Sequence, residues 1–245
     1  MTALEVLQQS TVEGNTVKLP SVQLDRSIYM EVKKKLEKIG GAWKGGKTQG
    51  FVFPTNPEDL LKQIAGGENR NLKKEFQFFE TPEKIVDLLV YYAEIKPEHT
   101  ILEPSAGRGA IIKGINKFGI TPDCYELMDQ NIEILKNSGL RFNFKGKDFL
   151  KNDRTRYDRI IANPPFTKNQ DIDHIIEMYE CLKPGGILVS VASTSWDEGS
   201  QIKQKFFRNW IRQVNTYIIE LPSGAFKESG TMVPTVILVI NKPLK

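Results

Sequence analysis

The feature that most constrains this chain is an alternation. From Thr81 onward, short apolar runs of strand length take turns with segments of helical period. Thr100–Leu102 reads as a strand, Gly109–Phe118 as a helix, Asp123–Glu126 as a strand and Gln130–Asn137 as a helix. Phe142–Lys147 is strand-like, Tyr157–Ile161 a buried strand, Ile172–Cys181 a helix and Gly186–Val191 a strand. Strands joined through helices run parallel, and their crossovers cover both faces of one sheet. The order breaks at the C-terminus, where Tyr217–Leu221 and Thr235–Ile240 are strands joined by a loop alone and should pair antiparallel. The expected class is α/β: a doubly wound, mostly parallel seven-stranded sheet closed by an antiparallel C-terminal hairpin.

Ahead of this core the pattern differs. Residues 1–15 are polar and aperiodic and predict a disordered or frayed start. Val17–Leu24 reads as a strand, and Asp25 caps a helix over Arg26–Ile39 that stops at Gly40-Gly41. Phe51–Pro54 is a strand, and Thr55 or Asn56 caps a short helix through Ile64. Residues 16–65 therefore read as a small α+β accessory domain, 66–75 as a Gly-rich, charged linker, and 76–245 as the main domain. Thr81 as N-cap and Pro82 at the first helical position open the core's first helix.

Composition narrows the class further. The 245 residues are 40% hydrophobic and 26% charged, which fits a globular chain and not a disordered one. A formal charge of +4 permits a polyanionic partner without demanding one. Cys124 and Cys181 stand far apart in apolar settings, so they read as reduced thiols, with neither disulfide nor metal site expected. No run approaches the roughly 20 apolar residues of a membrane span, and the expected location is the cytoplasm, with no membrane partner.

Four segments carry chemistry. The first, Glu103-Pro104-Ser105-Ala106-Gly107-Arg108-Gly109, lies where a strand meets a helix, the place where the backbone passes close to a ligand. It lacks the spacing of the dinucleotide fingerprint and the Lys-Ser/Thr ending of a P-loop. The acidic Glu103 suits a cationic ligand better than a pyrophosphate. The second is Glu126, with Leu127 behind it, at the next strand end; an acid there commonly takes ribose hydroxyls. The third is Asp148-Phe149, an acceptor for an adenine amino group beside a ring that can lie on it. The fourth is Asn163-Pro164-Pro165-Phe166, directly after a buried strand. Two prolines withhold two N–H donors and leave local carbonyls free, and Asn163 adds a side-chain oxygen. Two acceptors gripping the N–H bonds of an exocyclic amine would turn its lone pair toward an electrophile. Phe166 could stack on a base flipped from its duplex. The plainer reading is a rigid Pro-Pro turn.

Residues 76–245 resemble the gamma-type DNA adenine N6 amino-methyltransferases of the class I, Rossmann-like, S-adenosylmethionine-dependent methyltransferases. Phe78-Phe79-Glu80-Thr81-Pro82 resembles that family's upstream contact to the methionine end of the cofactor. The resemblance implies Glu103 to Gly109 as cofactor loop, Glu126 as ribose acid and Asp148-Phe149 as adenine contact. It implies Asn163-Pro164-Pro165-Phe166 as the catalytic tetrapeptide, with Asn163 also near the cofactor. Leu221 to Phe226, Gly230-Thr231 and Val239 to Lys242 resemble the closing hairpin. The implied cofactor is S-adenosylmethionine, and the implied substrate is DNA. RNA bases and protein glutamine are alternative acceptors, and a specificity subunit or a restriction-modification setting also fits.

Family members usually carry a large recognition domain after the core; here the last expected strand is followed closely by Lys245, so sequence specificity is expected from residues 16–65 or a partner subunit, or to be slight. Lys33–Lys47 holds six lysines, one glutamate and Trp43, either a phosphate-contacting surface with one stacking aromatic or a solvated helix face with a core Trp. It faintly resembles an accessory module of annealing helicases. Lys203, Lys205, Arg208 and Arg212 alternate with Ile202, Phe206, Trp210 and Val214, which reads as a core stripe with a wet cationic side or as a DNA contact. Asp171 and His174 are expected near the pocket mouth.

Overall fold

In the computed structural model, which describes residues 1–71 and 79–244, the first element starts at residue 3. Helix α1 (Ala3–Gln8) opens with a capping box: Thr2 Oγ1 accepts from Glu5 N at 3.3 Å, and the Glu5 carboxylate accepts from Thr2 N at 2.7 Å. Ala3, Val6 and Leu7 are buried, and strand β1 (Thr11–Glu13) pairs with β2 (Thr16–Lys18). The expected frayed start at 1–15 is thus corrected. The Thr-x-x-Glu pattern that marks a helix start was present in the sequence.

The chain divides into two compact units, Met1–Phe78 and Phe79–Lys245. In the first, an antiparallel sheet of order β1-β2-β4-β3 includes β3 (Ala42–Lys44) and β4 (Gly50–Val52). Helix α1 packs on α2 (Arg26–Lys38) and α3 (Glu58–Ala65). Val17, Val32, Leu36, Ile39, Phe51 and Ile64 form the core. Gly41 is required where it stands, because a Cβ there would sit 2.6 Å from the Phe53 ring and 3.1 Å from the Leu36 carbonyl. The expected boundary at 66–75 runs into residues 72–78, which lie outside the described residues.

The second unit carries the expected sheet. Its order is β10-β11-β9-β8-β5-β6-β7, built from β5 (Ile101–Glu103), β6 (Asp123–Tyr125), β7 (Asn143–Gly146), β8 (Tyr157–Ala162), β9 (Leu182–Ser193), β10 (Asn215–Glu220) and β11 (Thr235–Asn241). The pairs among β5 to β9 are parallel, while β11 runs antiparallel to both β9 and β10. Gly186–Ser193 is buried throughout, as a strand covered on both faces must be. One face packs against α4 (Glu83–Tyr92) and α5 (Ala110–Asn116) through Val86, Leu89, Ile111 and Ile115. The other packs against α7 (Gln170–Glu180) and α9 (Ile202–Gln213) through Ile175, Met178, Phe207 and Ile211. Helix α6 (Asp129–Lys136) closes a smaller cluster through Leu135, and α8 (Ser195–Glu198) follows β9. After β7 the chain returns to the other side of β5, so the switch of direction lies between β5 and β8. The crevice beyond the strand ends at such a switch is where open α/β sheets bind ligands.

Helix α9 is rotated from the expected stripe. Gln204, Phe207 and Ile211 face inward, while Ile202 is 88% and Phe206 57% exposed. A polar residue turns in because Gln204 Nε2 donates to the Ser195 carbonyl at 2.9 Å and to Asn169 Oδ1 at 3.3 Å. Two of the four cations are spent within the fold. Lys203 pairs with Asp173 at 2.6 Å, and Arg208 donates to the carbonyls of Trp196, Asp197 and Gly199. Asp171 and His174 are buried on α7 and do not stand at a mouth.

Candidate active site

The Gly-rich loop after β5 owes its path to two glycines. Gly107 (φ +56°) and Gly109 (φ +89°) hold left-handed conformations, and a Cβ on Gly109 would lie 2.6–2.7 Å from the methyls of Leu140 and Leu135. Ala106 N donates to the Tyr125 carbonyl at 2.9 Å, and Gly107 N donates to Glu126 Oε2 at 2.7 Å. Glu126 Oε1 accepts from Met128 N at 2.8 Å and from Asn131 Nδ2 at 3.3 Å. Glu126 therefore braces the loop itself. Burial raises its carboxyl above the usual range, and the N–H groups of Met128, Gly107, Asn131 and Leu127 lower it in part.

Glu103 is fully buried, and neither carboxylate oxygen has a hydrogen-bond partner. Burial pushes its carboxyl well above the usual range, and the charge of Glu126 raises it further. A buried acid without a partner is costly. A cation beyond the loop would relieve that cost, which is the fit expected for a sulfonium cofactor. The orphaned Glu103 oxygens suit such a group.

The Asp148-Phe149 pair divides. Asp148 stays partly exposed, accepts from Leu150 N at 3.1 Å and pairs with Lys151 at 3.4 Å. Phe149 is 2% exposed, with its ring 5.6 Å from Tyr125 and 5.8 Å from His174. It lies in the core, so the expected stacking ring is corrected: no face is left for adenine. The exposed apolar side chains at these two neighbouring strand ends are Leu127 and Leu150. Leu150 escaped the sequence reading, and its only signal was an apolar side chain with no periodic partner.

The fourth segment follows β8 directly. Pro164 is buried, and Asn163, Pro165 and Phe166 are half-buried. Asn163 Nδ2 donates to Thr81 Oγ1 at 3.1 Å and to the Phe79 carbonyl at 3.3 Å, while Asn163 Oδ1 is buried with no partner. The two bonds hold the amide so that its oxygen is the free end. Thr81 is thereby not the expected cap; α4 starts at Glu83 behind Pro82, and the hydroxyl serves Asn163. Phe166 packs partly on the α4–α5 face of the sheet. Phe78 lies outside the described residues.

The turn leaves through two consecutive left-handed residues, Lys168 (φ +55°) and Asn169 (φ +57°). Asn169 is locked by Gln201 at 2.9 Å and Ser195 at 3.0 Å. Ser195 meets Ser193, which donates to Asp171 at 2.7 Å. The β10–β11 loop reaches the entry segment, with Ser229 Oγ donating to the Glu80 carbonyl at 2.6 Å. A cleft of about 370 Å³ opens there, but of the expected site residues it takes in only Thr81. Contacts thus join Asn163 to Thr81 and Phe79, and Glu126 to Gly107; no hydrogen bond links Asp148 to either group among the described residues. No cluster of metal-ligating side chains occurs among the described residues, and none of their helices is long and apolar enough to cross a membrane.

A sheet of this order, with a Gly-rich loop and an acid at the ends of adjacent strands, has the fold of the class I S-adenosylmethionine-dependent methyltransferases. Residues 92–219 match the Methyltransferase small domain model, and the chain belongs to that family. Its cofactor is S-adenosylmethionine. No curated protein matches the sequence. Among solved structures, the fold is similar to a Listeria monocytogenes protein described as a class I S-adenosylmethionine-dependent methyltransferase (TM-score 0.56, 16% identity, 76% of this chain and 66% of that one). It is also similar to a modification subunit of a type I restriction enzyme from Vibrio vulnificus (0.56, 14%, 91% and 51%). A third is a protein from Pyrococcus horikoshii described as an RNA methyltransferase (0.51, 18%, 69% and 88%). The chain spans about two thirds of the first and half of the second.

Proposed function

We propose that the chain transfers a methyl group from S-adenosylmethionine to the exocyclic N6 amino group of adenine in DNA. The observation that carries this reading is Asn163 Oδ1, a buried acceptor with no partner on an amide whose nitrogen is already held. Leaving such a group unpaired costs about 1–3 kcal/mol, and an incoming N–H relieves it. Asn163 and a proline carbonyl of the turn would grip the two N–H bonds of the amine. That grip favours a tetrahedral nitrogen and turns its lone pair outward; the proton lost on methylation goes to solvent. The bound cofactor supplies an electrophilic methyl. Glu126, Leu127, Asp148 and Leu150 would hold its ribose and adenine, with Glu103 behind the loop, where a bound cation would favour its ionised form. Positioning and electrostatics suffice, and no strong base is needed.

The test uses labelled S-adenosylmethionine with unmethylated DNA, and with RNA and protein in parallel. Label recovered as N6-methyldeoxyadenosine is the expected result. Label in RNA or in protein glutamine instead would replace the DNA reading. Activity appearing only with an added specificity subunit would make the chain a modification subunit, like the Vibrio vulnificus protein.

A further inference from the structure

We propose that the β3–β4 hairpin of the N-terminal unit docks an unpaired strand of DNA, stacking one base on Trp43 and laying phosphates along Lys44 and Lys47. This deepens the DNA reading and rests on it. Trp43 stands on the outer strand of the small sheet and is 43% exposed. T-shaped contacts to Phe51 at 5.2 Å and Tyr29 at 6.4 Å fix the ring without covering it. An ordinary core Trp would be closed in, and a freely rotating surface Trp would lose more entropy on stacking.

Charge is distributed to match. Residues 38–57 contain three lysines and no acid. On α2, Lys33 lies 3.7 Å from Glu37 and Lys35 3.9 Å from Glu31, so two of that helix's lysines are paired within it. Lys44 and Lys47 have no acidic partner among the described residues, and Ala42–Lys47 is exposed throughout. The tip between them is open. A Cβ on Gly46 would meet nothing, and one on Gly45 would meet only Trp43 Nε1 at 4.0 Å, so a sugar-phosphate backbone can approach closely. From the neighbouring strand, the Lys18 ammonium donates to the Thr48 carbonyl and anchors the tip. A single ring among cations is too little apolar area for a protein partner but suits a base. The base must be unpaired, because a duplex keeps its ring faces stacked.

The experiment is fluorescence anisotropy of a labelled oligothymidylate with the full chain, over a salt series. Thymine lacks the methyl-accepting amine, so methyl transfer does not enter the readout. Lys44→Gln with Lys47→Gln should lower the slope of log affinity against log salt by about 1.4, at about 0.7 per single-strand contact. Trp43→Ala should weaken binding at least about fivefold, with Trp43→Phe retaining most of it. Unchanged affinity in the lysine variant and in Trp43→Ala would overturn the proposal, as would tighter binding of oligouridylate. An equal Trp43→Ala effect on a blunt duplex would overturn the stacked base. The lysine variant alters only exposed side chains, so it decides the matter even if Trp43→Ala fails to fold. If these losses appear while adenine goes unmethylated, the adenine reading fails and the docking surface stands.

Discussion

Asn163 works through what its nitrogen touches. With Nδ2 committed to Thr81 and the Phe79 carbonyl, the oxygen is the one amide atom left to accept. Thr81→Val removes one of the two anchors, worth about 1 kcal/mol or somewhat more. We expect kcat to fall roughly five- to thirtyfold, while Thr81→Ser stays within about twofold of wild type. A Thr81→Val enzyme with unchanged kcat in a methyl-transfer assay would show that the bond positions nothing. Glu103 makes a second prediction at this scale. Its folded pKa is raised, so its contribution to stability is complete below the ordinary value near 4.5 and is lost as pH rises through the raised value. Melting temperatures taken across that range should fall less for Glu103→Gln than for wild type. S-adenosylmethionine, a cation at sulfur, should offset the wild-type loss more than the uncharged thioether S-adenosylhomocysteine does. Identical pH profiles for wild type and Glu103→Gln would sink the assignment.

Among the elements, the turn after β8 is held from outside. Asn169 sits at φ +57° and is tied to Gln201, Ser195 and Gln204, residues that follow β9. Asn169→Gly keeps the backbone at ease and loses the side-chain bonds; Asn169→Ala loses both. Denaturant unfolding should place Asn169→Ala below Asn169→Gly by about 1 kcal/mol, and equal stabilities would mean the left-handed backbone carries no strain. Elements of this kind show how far the sequence could be read. The central strands of the large sheet, β8, β9 and β11, were legible because each holds an apolar run bounded by turn residues. Length and flanking turns mark such a strand without any capping signal. The strands β1 and β3 were not legible, because their side chains are mostly exposed and pairing with β2 and β4 alone defines them. The rotation of α9 was hidden for a related reason. Its stripe offers Phe206 and Phe207 side by side, and the choice between them is made by the polar pull on Gln204 from Asn169 and Ser195. Phe149 was legible as a residue but not as a direction, since a strand end can turn a ring inward or outward.

For the whole molecule, the larger unit gathers its candidate site residues at one end of the sheet and buries other polar groups just beneath. His174 lies under that end against Phe149, and burial lowers its pKa to about 4. A depressed histidine contributes stability above its unfolded value of 6.5, lost as pH falls toward the folded value. Stability should therefore drop between about pH 6.5 and 4, and His174→Phe should flatten that slope; a variant with the wild-type slope would place the acid sensitivity elsewhere. The family match and the sheet order establish a methyltransferase fold, and the acceptor turn at the switch point supplies the substrate reading. The most direct measurement is nucleoside mass spectrometry of unmethylated DNA after incubation with S-adenosylmethionine and either wild type or Asn163→Ala, with cofactor affinity measured alongside. The account predicts N6-methyldeoxyadenosine from wild type and none from Asn163→Ala, at nearly equal cofactor affinity. Full methylation by Asn163→Ala would contradict it.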